Sequence, residues 1–302
     1  MFFITSGYII THVLRAESSV EFLIKRAFRI YPLYIAAVLM ETASNYAFSG
    51  YLETSIYVWI PRLLLIGDLF NTPLALSNVE WTLRIEVMFY VFMALLKCAG
   101  LLQKAAWLPL VMLTTTLALY ALPQIPGPEY WLHGYITLYT PFLFLGVCIY
   151  LLQAKIAQPI LCIAAIIIIT AFFVKKLAIF HPAWASINFA IPAVLIFTIA
   201  LSVNNKLPDG KFLRILSGMT YSIYLFHNWG WNFIEIWTAK HGLAAIPGKI
   251  QTLTILLVGC YIAHRLIEIN SIKIGKRITE SLCKKNTSYI KSPEVPGPKQ
   301  IQ

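Results

Sequence analysis

Apolar residues along this chain fall in long runs separated by short polar breaks. Eight runs are long enough to cross a bilayer: 30–49, 82–101, 105–123, 135–152, 157–174, 183–203, 215–236 and 250–268. A spanning helix needs about 20 mostly apolar residues, so the expected fold class is all-α, a polytopic transmembrane helix bundle. The runs 105–123, 135–152, 157–174 and 183–203 contain no Asp, Glu, Lys or Arg. Residues 1–13 are apolar but short, and predict a partial span. They lack the basic lead-in and small-residue cleavage site of a signal peptide. The long connection 50–81 contains Ile56–Phe70, an apolar stretch broken by Pro61, Arg62, Gly67 and Asp68. Its length and breakers predict an interfacial or re-entrant helix.

Composition excludes a disordered chain and argues against a water-soluble globule. Hydrophobic residues make up 59% of the 302 and charged residues 12%, against about 25% charged in soluble domains. The net charge of +11 comes from 24 Lys and Arg against 13 Asp and Glu. These cations lie between apolar runs, the pattern of cytoplasmic membrane loops, and no nucleic-acid partner is expected. With 14–29 placed in the cytoplasm, alternating spans put 18 Lys and Arg on that side and five on the other, with Arg84 inside a span. That asymmetry predicts a multi-pass protein of the inner (plasma) membrane with a cytoplasmic C-terminus. The chain divides into a membrane domain, 1–270, and a basic tail, 271–302, expected to be disordered. The five cysteines are scattered, with no metal-ligand spacing, and no metal site is expected. No internal repeat of the transporter kind is visible.

Polar residues inside apolar runs carry the candidate chemistry, because a charge at a helix centre costs about 2.5–3.5 kcal/mol. Glu86 and Arg84 lie in one span, two residues and so about 200° apart around the helix. They cannot neutralise each other across one face. Each therefore needs a partner on another helix, a watery cavity, or the interface; Arg84 could snorkel outward. Glu86 reads either as a structural interhelical bond or as the lining of a polar active-site cavity. Arg26 and Arg29, three apart, share a helix face and would fit a phosphate. Basic residues before a span also serve orientation alone. His227 sits mid-span with Tyr221, Tyr224 and Asn228 nearby, either a hydrogen-bonded structural histidine or part of a polar cavity able to hold a sugar. Ser6-Gly7-Tyr8 offers a small-residue pair for close helix approach.

Four segments in order resemble acyltransferase family 3 membrane proteins, which O-acylate carbohydrates. Phe2-Phe-Ile-Thr-Ser-Gly-Tyr-Ile-Ile-Thr11 is similar to the family's F-F-[VI]-[LI]-S-G-[FY]-[LI]-I. Arg26-Ala-Phe-Arg-Ile-Tyr-Pro-Leu-Tyr34 is similar to R-x-x-R-I-x-P-x-Y. Trp81-Thr-Leu-Arg-Ile-Glu-Val-Met-Phe-Tyr90 is similar to W-[ST]-L-x-[VI]-E-x-x-F-Y, and Tyr221-Ser-Ile-Tyr-Leu-Phe-His227 to S-Y-x-[IL]-Y-L-x-H. The resemblance implies transfer of an acyl group, acetyl in the first instance, from acyl-CoA as co-substrate, with no bound cofactor. The acceptor would be a hydroxyl of a cell-surface polysaccharide or its lipid-linked precursor. It implies catalytic roles for Glu86 and His227, donor binding by Arg26 and Arg29, and substrate binding by Trp81 and Tyr224. It also implies a further helix before Phe2 carrying an R-G segment and a histidine base, so that the eight runs, the 1–13 fragment and that helix make ten. On this expectation Met1 is internal and residues 1–302 alone are poorly active. Val87 stands where the family has a second acid. An inert or regulatory protein of the same fold, or a glycan transporter or polymerase, are the rival readings.

Overall fold

The computed structural model describes residues 1–50, 52–70, 72, 75–127, 133–181, 189–203, 210–243 and 245–289. They form a helical bundle with no strand among the described residues. The chain opens with α1 (Phe2–Ala16) and α2 (Ser19–Ser49), joined by a turn in which the Ser18 side chain accepts from the Glu21 N–H. That Ser-x-x-Glu spacing caps the helix start. At 1.5 Å per residue the 31 residues of α2 reach about 46 Å, more than the ~30 Å hydrocarbon core. The run 30–49 is thus the upper part of a longer helix. Its lower end is tied by Lys25 to Glu17 at 2.8 Å and Glu21 at 2.7 Å. These two carboxylates raise the Lys25 pKa above its ordinary value.

The 50–81 connection holds only α3 (Ile56–Leu63) and two short 3₁₀ turns among its described residues. Eight residues rise about 12 Å and cannot cross a bilayer. Then come α4 (Glu80–Cys98), α5 (Leu108–Ala121), α6 (Tyr135–Gln153), α7 (Pro159–Phe180) and α8 (Ala190–Val203). Helix α6 is the centre of the bundle. It packs against α1, α4, α5 and α7, and 83% of its apolar window is buried. It meets α1 with no room for a side chain at Gly7 or Gly146. A Cβ on Gly7 would stand 1.9 Å from the Leu143 carbonyl oxygen, and one on Gly146 would stand 2.1 Å from that of Ile4. The small-residue pair at Ser6-Gly7 therefore does what close helix approach requires.

Residues 183–188 of the run 183–203 lie outside the described residues, and among the described ones two expected elements differ. The run 215–236 is not one span: it is divided among α9 (Lys211–Gly218), α10 (Thr220–Phe226) and α11 (Trp229–His241). At the His227–Asn228 break the Tyr224 carbonyl bonds to His227 Nδ1 at 2.7 Å, and the Leu225 carbonyl accepts from Trp229 Nε1 at 3.0 Å. Side chains inserted into the backbone ladder bend the helix there while keeping its carbonyls satisfied. The tail expected to be disordered after residue 270 is likewise helical for most of its length. Helix α12 (Gly248–Ala263) passes through a π-turn, His264–Glu268, into α13 (Ile269–Tyr289). Ser271, Gly275 and Thr279 form a buried stripe along α13, and a Cβ on Gly275 would lie 2.7 Å from Phe28 Cβ of α2. The polar composition of this segment hid a helical phase that puts the small residues inward and the charges outward. The Pro-rich stretch Ser292–Pro298 lies outside the described residues. Three helices, Tyr135–Gln153, Pro159–Phe180 and Gly248–Leu282, are long and apolar enough to cross a membrane by length and composition.

Candidate functional site

Helix α4 organises two polar centres. The lower one surrounds Glu86, whose carboxylate accepts from Ser6 Oγ of α1 at 2.8 Å and from the Tyr90 hydroxyl one turn along α4. The Arg26 guanidinium of α2 lies over the Tyr90 ring, 5.9 Å from its centroid, and over Phe22 at 5.3 Å. Its Nε is buried with no hydrogen-bond partner among the described residues. Arg29, one turn further, is exposed. Arg26 is thus seated on aromatic faces with hydrogen-bonding capacity in reserve, while Arg29 faces outward beside it.

The upper centre is a cleft of about 420 Å³ lined by Ser77, Asn78, Trp81, Thr82, Tyr224, His227 and Asn228. The Tyr224 hydroxyl donates to the Val79 carbonyl at 2.7 Å and also hydrogen-bonds Thr82 Oγ1. Trp81 is braced by Tyr139, with centroids 5.2 Å apart, and Phe2 stacks on Tyr224 at 5.7 Å with rings only 5° from parallel. The His227 ring is exposed, and its Nδ1 meets a carbonyl, which can only accept. Nδ1 therefore carries the hydrogen. In the neutral ring Nε2 keeps its lone pair.

One wall of this cleft is a strained turn. Leu76, Ser77 and Asn78 have φ of 52°, 49° and 69°, a left-handed conformation that L side chains disfavour. Two carboxylates hold it: Glu41 of α2 accepts from the Leu76 and Ser77 N–H groups at 2.6 and 3.2 Å, and Glu80 accepts from the Ala75 N–H at 3.1 Å. Asn228 Nδ2 donates to the Ser77 carbonyl at 2.7 Å and joins the turn to the α10–α11 break.

Glu80 also settles where Arg84 goes. The two form an ion pair four residues apart, with side chains 0% and 3% exposed. Arg84 does not snorkel outward, and Glu80, on its own helix, is one of its partners. Glu80 lies just outside the run 82–101, so a reading confined to that run misses it. The Glu-x-x-x-Arg spacing was the available signal.

A sequence model described as an acyltransferase domain matches residues 1–265. The chain belongs to acyltransferase family 3. No curated protein and no solved structure matches it. Family membership and the apolar helices make it a membrane protein of the acyltransferase class. The four motif segments converge on α4. Ser6 and Arg26 meet the Glu86–Tyr90 turn, while Tyr224 meets Thr82 and His227 lines the cleft beside Trp81 and Thr82. Glu86 and His227, expected together as catalytic residues, therefore belong to adjacent centres. Ser6, Thr82 and Tyr90 complete those centres and have no sequence signal of their own beyond lying within the motifs. Among the described residues no cluster of metal-ligating side chains occurs.

Proposed function

We propose that this acyltransferase moves an acyl group, acetyl in the simplest case, from acyl-CoA to a hydroxyl of a surface polysaccharide or its lipid-linked precursor. The single observation that carries the chemistry is the contact of His227 Nδ1 with the Tyr224 carbonyl at 2.7 Å. With Nδ1–H committed to the Tyr224 carbonyl, Nε2 is the basic nitrogen available in the cleft. Hydroxyls are weak nucleophiles near neutral pH, and a positioned base removes the proton as attack proceeds. The acceptor oxygen forms a bond to the thioester carbonyl carbon, the carbon–sulfur bond breaks, and the proton held by His227 passes to the departing thiolate.

The lower centre suits the donor. Arg26 and Arg29 offer two planar forks to the CoA phosphates. Tyr90, which Arg26 covers, is about 13 Å along α4 from Trp81. The extended pantetheine arm of CoA separates phosphates from sulfur in the same sense. Glu86 holds Ser6 and Tyr90, and through Tyr90 the aromatic seat of Arg26. The charge asymmetry supports insertion in the inner membrane with the α1–α2 turn and the C-terminus in the cytoplasm, where acyl-CoA is found.

The test is acyl transfer from radiolabelled acetyl-CoA by the full chain in bilayers. His227→Asn is expected to lower turnover by about 10²–10⁴-fold, the usual worth of a general base, while leaving the donor KM unchanged. Turnover by that variant at the parent rate would return the base to the histidine of the preceding helix that the family resemblance implies.

A further inference from the structure

An apolar chamber of about 570 Å³ adjoins the cleft and has no part in the steps above. Its size falls within the 300–1,000 Å³ typical of small-molecule sites. Phe3, Phe142, Phe173 and Leu177 line it, together with Ala190 and Ala193 of α8. Trp81, Thr82 and Tyr224 line both spaces, so chamber and cleft meet across these three side chains. The outer face of α8 exposes Ile191, Leu195, Ile196 and Ile199, a surface suited to lipid. The chamber therefore lies one helix in from the bilayer's hydrocarbon, whereas Arg26 and Arg29 are at the other polar centre of α4.

A free sugar has no use for such a chamber. Apolar cavities lined by aliphatic and aromatic side chains stay dry and take apolar guests. A molecule with a hydroxyl-bearing head and a hydrocarbon chain would occupy both spaces at once. We propose that the chamber binds the hydrocarbon chain of a lipid-linked acceptor while its head group lies in the Trp81–Tyr224–His227 cleft. The assignment rests on the acyl-transfer reading and narrows its acceptor to the lipid-linked form.

The experiment compares two probe acceptors, methyl glucoside and decyl glucoside, on the parent chain and on Ala193→Phe, which fills the chamber. Ala190→Leu is a milder filling should the first variant fold poorly. Direct binding of each radiolabelled glucoside to protein in nanodiscs is measured beside acyl transfer from acetyl-CoA and octanoyl-CoA. Both proteins sit in the same bilayer, so partitioning of the decyl chain cancels. The expected result is that filling the chamber weakens decyl glucoside binding about tenfold or more and raises its KM in step, with methyl glucoside handled alike by both proteins. Equal handling of the decyl compound by parent and filled variants overturns the proposal. So does a selective loss of octanoyl-CoA use with decyl binding intact, which assigns the chamber to the donor's acyl chain. Chain-dependent binding without acyl transfer to either acceptor upholds the chamber and removes the acyl-transfer reading. Acyl transfer without chain dependence does the reverse.

Discussion

Glu80 and Arg84 show what burial demands of charged groups. Each side chain is almost fully out of solvent, and a charge in that position depends on its neighbour. Removing one partner of a buried pair costs about 3–5 kcal/mol, whereas replacing both by apolar residues is often neutral. Glu80→Ala is therefore expected to lower the thermal melting temperature sharply, and Glu80→Leu combined with Arg84→Leu to recover part of it. Equal losses for the single and double changes would mean that the pair is not the unit. Arg26 and Arg29 allow a second residue-scale prediction. Arg26 lies over two aromatic rings and Arg29 is exposed. A planar guanidinium stacks in a way an ammonium does not. Arg26→Lys should raise the donor KM nearly as far as Arg26→Ala, while Arg29→Lys does so much less. Matching effects of the two lysine variants in steady-state acyl transfer would show that only charge counts.

At the scale of elements, the α1–α6 and α2–α13 contacts depend on small residues. The α1–α6 crossing leaves no volume at Gly7 or Gly146, and overpacking a close contact typically costs about 1–3 kcal/mol. Gly7→Leu is expected to separate the helices, lower the melting temperature, and carry Ser6 away from Glu86. Restored stability in a truncation of Leu143 would not follow, because the obstructing atom is a backbone oxygen. On α13 the contrast is between faces. Gly275→Leu should disturb packing on Phe28, whereas Lys276→Ala, in a pair with Glu280 at 3.9 Å and 71% and 57% exposed, should be neutral within about 0.5 kcal/mol. Thermal melts of the two variants side by side decide this. The helix boundaries were legible where apolar runs were unbroken, as in Tyr135–Gln153. At the His227–Asn228 break they were not legible, because two side chains there bond to the carbonyls behind them, an event that hydropathy does not record.

The whole molecule raises the question of sidedness. The 18-to-5 split of Lys and Arg predicts that the α1–α2 turn and helix α13 lie on the same, cytoplasmic side. In a chain with Cys98 and Cys283 replaced by Ser, Ser18→Cys and Ser281→Cys should both be inaccessible to an impermeant thiol reagent from outside, and both labelled after the bilayer is opened. Labelling of one alone from outside would contradict an even number of crossings between them.

The sequence by itself determined the solvent, the helical class, the charge asymmetry and the family. These follow from local composition, from the cost of placing charge in hydrocarbon, and from motifs read in order. It also named Glu86, Arg26, Trp81, Tyr224 and His227 as residues that need an explanation. Only the tertiary structure decided who their partners are. Ser6 meets Glu86 from 80 residues away, and Tyr224 meets Thr82 from 142. The strained wall at Leu76–Asn78 is held from α2 by Glu41, 35 residues earlier. Such pairings depend on how helices cross. The crossings are set by volumes such as the empty side-chain positions of Gly7 and Gly146, which hydropathy along the chain does not encode.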